Sequence, residues 1–596
     1  MTMRTSPVLD RFAASVLLVA LTSHAAVGLP TAPEAAISAA GVLQPAESRA
    51  SGPAAIAVTF APGEAAAQPV SGRLVIALIA PGSKLPPGTS PHDAPFWDDL
   101  QPLFAKEVTG LKPGDTVVLD DTWEHNSIPV SKLAPGQYQA GARLIATRIS
   151  SSWKSVAGNW TSPVTSFEIP PAAAAPAAAT VPVKLELSQP TKARQWRQTD
   201  GVELFEMKSE LLSAALGREV TLRAGVVLPA GYDPSAQIAG KPRQYAAVYE
   251  VPGFGGDHTG AAGVARGRKR AEDKAAAPDT ASAPDPARLL AQSTFWIVLD
   301  PESNNGHALF ADSANNGPRG KALTEELIPA LERKYPLLAR PEARLLRGHS
   351  SGGWSTLWLA LNYPSTFGAA WPSAPDPVDF RRFQAVDIYT QKNMYIVPAD
   401  DTAPEKAAAE RIRATPGGAA EPAGGRSLIM SYRKAGKGTM SVRQETQGED
   451  ILGADNTSGQ QWDSWFAVFG PRNSRGNPAA LFDPVTGTID RAVAEQYRTY
   501  DIGLKLRTDP AKYGPIFRKN IHLIVGDADE FFLNEAVALL KADLDALWPA
   551  EKTPGTGSIT IIPGKTHGSV FGTPQAQRIP ADMVEHLRAT GVLPRP

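Results

Sequence analysis

Two hydrophobic rhythms divide this chain. In its first third, short apolar runs sit between turn residues: Gly72–Ala80 (GRLVIALIA), Asp115–Asp120 (DTVVLD), Gly136–Thr147 (GQYQAGARLIAT) and Ser162–Pro170 (SPVTSFEIP), with PGS, KPGD and APGQ among the connections. Short strands at this spacing predict a small β-sandwich-like accessory domain over residues 54–170. The run PAAAAPAAATVP then predicts an Ala/Pro linker over 171–183. Beyond it the rhythm changes. Glu219–Pro229 alternates as an antiparallel strand does, whereas Tyr245–Gly253, Thr294–Asp300, Ala343–Gly348 and Asn520–Asp527 are almost continuously apolar. Strands buried on both faces of a parallel sheet have that pattern. Helical periodicity lies between them, in Lys321–Tyr335 (with Pro329 expected to kink it) and Asn534–Trp548. Strand–helix alternation predicts an α/β domain with flanking helices over residues 184–596. Two stretches break the alternation and read as insertions: Ala261–Leu289, whose RGRKR run suits a solvated helix face, and roughly Ala403–Gly425.

The N-terminus changes the compartment rather than the fold. Arg4 and Arg11 flank the apolar stretch Phe12–Thr22, and Ser23–Ala25 supplies small residues for cleavage. Residues 1–25 are expected to be a signal peptide, and the Ala/Pro-rich residues 26–53 a disordered segment. No later run of about 18 apolar residues exists to hold the exported chain in a bilayer as a helix, so a periplasmic or secreted protein is expected. Composition narrows the chemistry. The 596 residues are 43% hydrophobic, and 59 basic against 60 acidic side chains give a net charge of −1, which favours no nucleic-acid partner. With no cysteine, disulfides, thiol catalysis and thiolate-bound zinc are excluded.

Candidate chemistry begins at Gly348-His349-Ser350-Ser351-Gly352, a G-x-S-x-G sequence between an apolar strand and a helical stretch. A serine on such a turn has its hydroxyl lifted off the sheet, and small flanking residues prevent collision with the adjoining strand and helix. Its activation needs a base and a carboxylate, which in this arrangement follow in the order Ser, acid, His. Three histidines follow Ser350. His522 lies within an apolar strand, His586 in a helical stretch, and His567 in the loop GKTHGSV after a strand, where open sheets place ligand-facing residues. For the acid, VGDADEFF offers Asp529, far enough into its loop to reach His567, and Asp527, nearer the strand end and better suited to backbone capping. Asp376 and Asp379 are further candidates. The DADE cluster has too few oxygen ligands for a hard cation, so no metal or other cofactor is expected. The Gly-rich loop VPGFGGDH places the Phe254 N–H as partner to that of Ser351 for an oxyanion hole. His307, Asn304 and Asn305, on the loop after Thr294–Asp300, are candidate substrate contacts. Trp354 and Trp358 read as core.

From about Glu203 onward the chain resembles the "putative esterase" family of α/β-hydrolases, which includes esterase D-like enzymes, feruloyl esterases, enterochelin esterases and mycolyl transferases. The likeness is carried by GREVTLRAGVVLPAGYD, VPGFGGDH, RGHSSGGW, GDADEFF and GKTHG. It implies an α/β-hydrolase sheet, a triad falling on Ser350, Asp529 and His567, and an oxyanion hole at Phe254 and Ser351. The stretch between Ser350 and Asp529 is longer than a compact member needs, and Gly459–Pro471 (GQQWDSWFAVFGP) is a candidate lid or pocket wall. The expected activity is hydrolysis of a carboxylic ester, of a small molecule or glycoconjugate, through an acyl-enzyme. Acyl transfer by the same triad and a non-catalytic binding or cell-surface module are the alternatives.

Overall fold

The continuous apolar runs form the middle of an eight-stranded sheet in the computed structural model of the protein. The structure describes residues 56–595 except 64–67, 97–98, 149–153, 155, 172–182, 239, 276–284, 398–427 and 548–556. The expected signal peptide, the Ala/Pro-rich segment 26–53, the linker run 172–182 and the insertion at 403–425 therefore lie outside the described residues. The sheet strands are β1 (Val202–Lys208), β2 (Thr221–Val227), β3 (Ala246–Val251), β4 (Thr294–Leu299), β5 (Arg344–His349), β6 (Ala369–Ser373), β7 (His522–Gly526) and β8 (Ser558–Ile562). Their spatial order is β1-β2-β4-β3-β5-β6-β7-β8. The pairs β1/β2 and β2/β4 are antiparallel and all others parallel. This is an α/β-hydrolase sheet. β4 is buried at every position, as its uninterrupted apolar sequence requires, and helices cover both faces.

The expected kink at Pro329 takes a specific form. The helix passes through one wide π turn at Ala322–Leu327 and resumes as Ile328–Lys334. The wider turn accommodates a residue with no N–H to donate and a ring that would strike the preceding turn. In the Ala261–Leu289 insertion, Ala261–Ala275 is helical. Arg268 of the RGRKR run is docked rather than solvated, donating to the carbonyls of Ala291 at 2.7 Å and Thr294 at 3.0 Å.

The first third folds as two facing sheets around Ile56, Val58, Phe60, Leu74, Ile76 and Leu144. The strands Val70–Ile79, Thr116–Val118, Gly136–Ile145 and Thr165–Ile169 occupy the expected runs. One strand comes from beyond the expected boundary. Val183–Leu187, which the change of rhythm assigns almost wholly to the α/β region, pairs in parallel with Ile56–Phe60, Ile56 opposite Val183. Its alternating VKLEL buries Leu185 and Leu187 in the sandwich core.

Ala50–Pro596 is one compact unit, and the two regions meet at a helix of the long insertion. Buried Arg73 donates from Nε to the Ile451 carbonyl at 2.7 Å and from Nη2 to the Asp450 carbonyl at 2.8 Å, closing the C-terminal turn of the helix Val442–Leu452. Ile451 and Leu452 enter a small core with Val75, Ala77, Phe96 and Ala105 of the accessory sheets.

Candidate active site

Strand β5 ends where the helix α1 (Ser351–Asn362) begins, and Ser350 lies between them at φ 57°, ψ −125°. A non-glycine residue there is strained, so the surrounding structure must hold it. The Ser350 N–H donates to the Ser373 carbonyl at 3.0 Å, and its own carbonyl accepts from Trp354 N at 3.0 Å. The flanking glycines are required by contact. A Cβ on Gly348 would overlap the Gly352 carbonyl, and one on Gly352 would overlap the Val251 carbonyl of β3.

The loop after β7 carries Asp529 and the loop after β8 carries His567, and the sheet brings them together. Asp529 Oδ2 lies 2.7 Å from His567 Nδ1. The carboxylate is fully buried and fixed from behind, its Oδ1 accepting from Phe531 N at 2.9 Å. Burial disfavours protonation of His567, but the facing Asp529, joined by Asp376 and Glu530, outweighs it and raises the imidazole pKa above its ordinary value. Asp527 is engaged elsewhere, accepting from Gly564 N at 2.6 Å. Asp379 lies in an ion-pair network with Arg381, at 2.7 Å, and Arg507.

Asp376 stands on the other side of the serine. Its Oδ1 is 3.4 Å from Ser350 Oγ, while its Oδ2 accepts from Ser351 Oγ at 2.7 Å and Trp465 Nε1 at 2.8 Å. Burial raises its pKa against the pull of these donors. It thus ties the first turn of α1 to the inserted helix that carries Trp465.

The Gly-rich loop reaches the elbow because Gly253 has no side chain: a Cβ there would sit 3.0 Å from the His349 carbonyl and 3.4 Å from Ser350 Cβ. Phe254 is thereby placed beside Ser350. His307 is fully buried beneath this loop. Its Nε2–H donates to the Pro252 carbonyl at 2.9 Å and its Nδ1 accepts from Leu309 N at 3.1 Å, with burial lowering its pKa to about 4. Asn304 pairs with Arg218 at 2.7 Å and Asn305 with Asn316 at 3.0 Å. The structure thus brings Ser350, His567 and Phe254 to one pocket, and leaves His307, Asn304 and Asn305 outside its lining.

That pocket has a volume of about 330 Å³. Opposite the elbow it is walled by the helices α2 (Val442–Leu452) and α3 (Gln461–Phe469), which present Glu445, Gln461 and Trp465. The run Gly459–Pro471 thus supplies a wall. Gln384, Phe531 and Leu533 complete much of the remainder. Sequence reasoning missed Asp376's four partners, Ser350, Ser351, Gln461 and Trp465, and the pocket residues Gln384 and Glu445. Glu445 and Glu449, four apart on an otherwise polar helix, are only 6% and 2% exposed. The one available signal was the i, i+4 pair Gln461 and Trp465 in a Trp-rich run.

Strand order, strained elbow and the His567–Asp529 pair together define an α/β-hydrolase. Residues 213–408 match the family model described as "Putative esterase". The segment includes Phe254 and Ser350 and ends before Asp529 and His567. No curated protein matched the sequence. Among solved structures, the chain is similar to a ferulic acid esterase from Anaeromyces mucronatus at 14% identity, 66% coverage of this chain and 92% of that one, and a TM-score of 0.26. It is similar to an S-formylglutathione hydrolase from Agrobacterium tumefaciens at 13% identity, 65% and 96% coverage, and a TM-score of 0.31. A fluorophosphonate-binding serine hydrolase of Staphylococcus aureus gives 13% identity, 65% and 98% coverage, and a TM-score of 0.32. Likenesses this remote carry no argument, and the fold rests on the strand order.

Proposed function

We propose that the protein is a serine esterase that cleaves carboxylic esters through an acyl-enzyme. One observation carries the reading: a serine held at positive φ on a strand–helix elbow shares a pocket with a histidine whose Nδ1 is engaged by a buried carboxylate. The family match supports ester hydrolysis as the class of reaction. Ser350 Oγ attacks the ester carbonyl carbon while His567 Nε2 takes its proton. The Asp529 carboxylate stabilises the imidazolium so formed and fixes its tautomer. The N–H groups of Phe254 and Ser351 receive the oxyanion of the tetrahedral intermediate. Collapse expels the alcohol, protonated by His567, and water activated by the same histidine then frees the acid. In this resting arrangement the Ser350 hydroxyl is turned toward Asp376, so attack requires a rotation about χ1 toward His567.

No helix among the described residues is long and apolar enough to cross a membrane, and the export expected from residues 1–25 joins this proposal. A fluorophosphonate probe tests the reading. Labelling of wild type, with the added mass on Ser350 and none on the Ser350→Ala protein, is expected; a folded wild type that resists labelling overturns it and favours a binding module. Release of free acid in the presence of excess alcohol separates hydrolysis from acyl transfer.

A further inference from the structure

The wall opposite the elbow carries chemistry that ester cleavage does not use. Glu445 on α2 is 6% exposed, lines the pocket of Ser350 and His567, and pairs with no cation among the described residues. Among the described residues, neither lysine nor arginine lines the pocket. Burial pushes the Glu445 carboxyl up to about 7, with the Ser431 and Trp462 side chains beside it pulling the other way. Gln384, 2% exposed and at φ 54°, lines the same pocket. Its amide nitrogen points at the Ser431 carbonyl, 3.5 Å away, which leaves its Oε1 buried without a partner. Gln461 spends its nitrogen on Ser351 Oγ, at 3.5 Å, and Asp376 Oδ2, at 3.4 Å. His349, with its pKa lowered to about 3 by burial and by the neighbouring His567, supplies no positive charge.

One buried acceptor without a partner, Gln384 Oε1, and one carboxylate without a cation, Glu445, held by the Ser431 and Trp462 side chains, thus line the same pocket. Buried acceptors without donors are costly, and a charged donor is the group that relieves most of that cost. We propose that Glu445 and Gln384 form a recognition site for a substrate ester bearing a primary ammonium group, Glu445 taking the charge and Gln384 Oε1 a second N–H. This specificity rests on the ester-hydrolase reading of Ser350. An anionic ester would meet an uncompensated carboxylate and be rejected.

The test compares ethyl para- and meta-(aminomethyl)benzoates with the matching methylbenzoates and hydroxymethylbenzoates. The expected result is a kcat/KM for one aminomethyl ester on the order of 10- to 100-fold above its methyl counterpart, consistent with a charged hydrogen bond. Glu445→Gln should bring that ratio close to one. Wild type provides a second measurement that needs no variant. As pH falls through about 7, Glu445 takes up its proton and the ratio should decline. The titration of His567 affects both esters alike and cancels in the ratio. Glu449 and Asp463, behind Glu445, also have raised pKa values, so their protonation removes negative charge in the same direction. Three outcomes overturn the proposal while leaving the esterase standing: neutral esters cleaved as well as cationic ones, a preference that survives Glu445→Gln, or hydroxymethyl esters matching the aminomethyl ones. Failure to cleave any ester, with Ser350 unlabelled by fluorophosphonate, defeats the esterase reading and this one with it.

Discussion

The two walls of the pocket are built by opposite means. The wall carrying Ser350, Asp529 and His567 rises from the C-terminal ends of β5, β7 and β8, each set by parallel register: Gly348 opposite Pro372, Ser373 opposite Ile524, Gly526 opposite Ile562. The facing wall belongs to α2 and α3, inserted helices whose support comes from outside the sheet, through Arg73 and the small core around Ile451. The proposed reaction chemistry thus lies at the edge of the sheet, and the proposed recognition lies on helices that contact the accessory sheets. Changes to the first wall should remove turnover with little change in stability. Changes to the second should alter selectivity and stability together.

The largest expected effect is on the first wall. Ser350→Ala should reduce kcat by on the order of 10⁴-fold or more, since triad members act as one unit, while thermal unfolding stays within a few degrees of wild type. A variant retaining a tenth of the activity would remove Ser350 as nucleophile. Asp529→Asn should follow, with a loss on the order of 10²- to 10⁴-fold. It also has a signature that a merely structural residue lacks. The base must be neutral to act, so activity falls as pH drops below the His567 pKa, which Asp529 raises. Removing that charge should move the acid limb of the kcat/KM profile to lower pH. Asp527→Asn, whose amide oxygen can still accept from Gly564, should stay within a few-fold of wild type.

The accessory contact is the next step down. Arg73→Met removes two charged donors from the end of α2 and should cost about 2–4 kcal/mol of stability. Activity should drop only several-fold, mainly through a higher KM, because the wall loosens while the elbow does not. An Arg73→Met protein as stable as wild type would show that the accessory domain merely adjoins the hydrolase.

The same division explains what the sequence made legible. The elbow could be read because Gly348 and Gly352 answer to steric demands that arise within a few residues of Ser350. Asp529 and His567 could be read because parallel strands bring loop ends to one edge. The role of Glu445 could not, because only the fold decides that its helix is covered on one side by the accessory sheets and on the other by α3. Nor could the strand Val183–Leu187 be assigned to the sandwich: its partner, Ile56–Phe60, lies more than a hundred residues earlier, and local alternation is the same in either domain. His307 was misleading for a related reason. A histidine in a polar loop at this edge suggests substrate contact, but here it is fully buried and supports the Gly-rich loop through Pro252.

The smallest expected effect concerns the charge stored in the inserted wall. Glu445, Glu449 and Asp463 are all buried and Asp450 is half-buried, and burial raises the pKa of each, to about 7 for Glu445 and Asp450. The sign follows from linkage. A carboxyl whose folded pKa exceeds its unfolded one binds its proton more tightly in the folded protein, so the folded state is favoured while the group is protonated. Between the ordinary carboxyl pKa, near 4, and about 7, the unfolded chain holds fewer protons, and stability must fall as pH rises. Above about 7 no further loss from Glu445, Asp450 or Asp463 is expected. Salt-bridged carboxylates such as Asp379 act in the opposite sense, since their folded pKa is lowered, but their contribution is complete once pH exceeds the ordinary carboxyl value. The melting temperature should therefore decline by a few degrees between about pH 5 and pH 7.5. Replacing Glu449, which accepts from the backbone N–H groups of Trp462 and Asp463 at 3.1 Å and 3.0 Å, by Gln keeps an acceptor and removes one of the titrating charges. Glu449→Gln should flatten the slope, and a variant whose melting temperature still falls as steeply over that interval would place the titrating charge elsewhere.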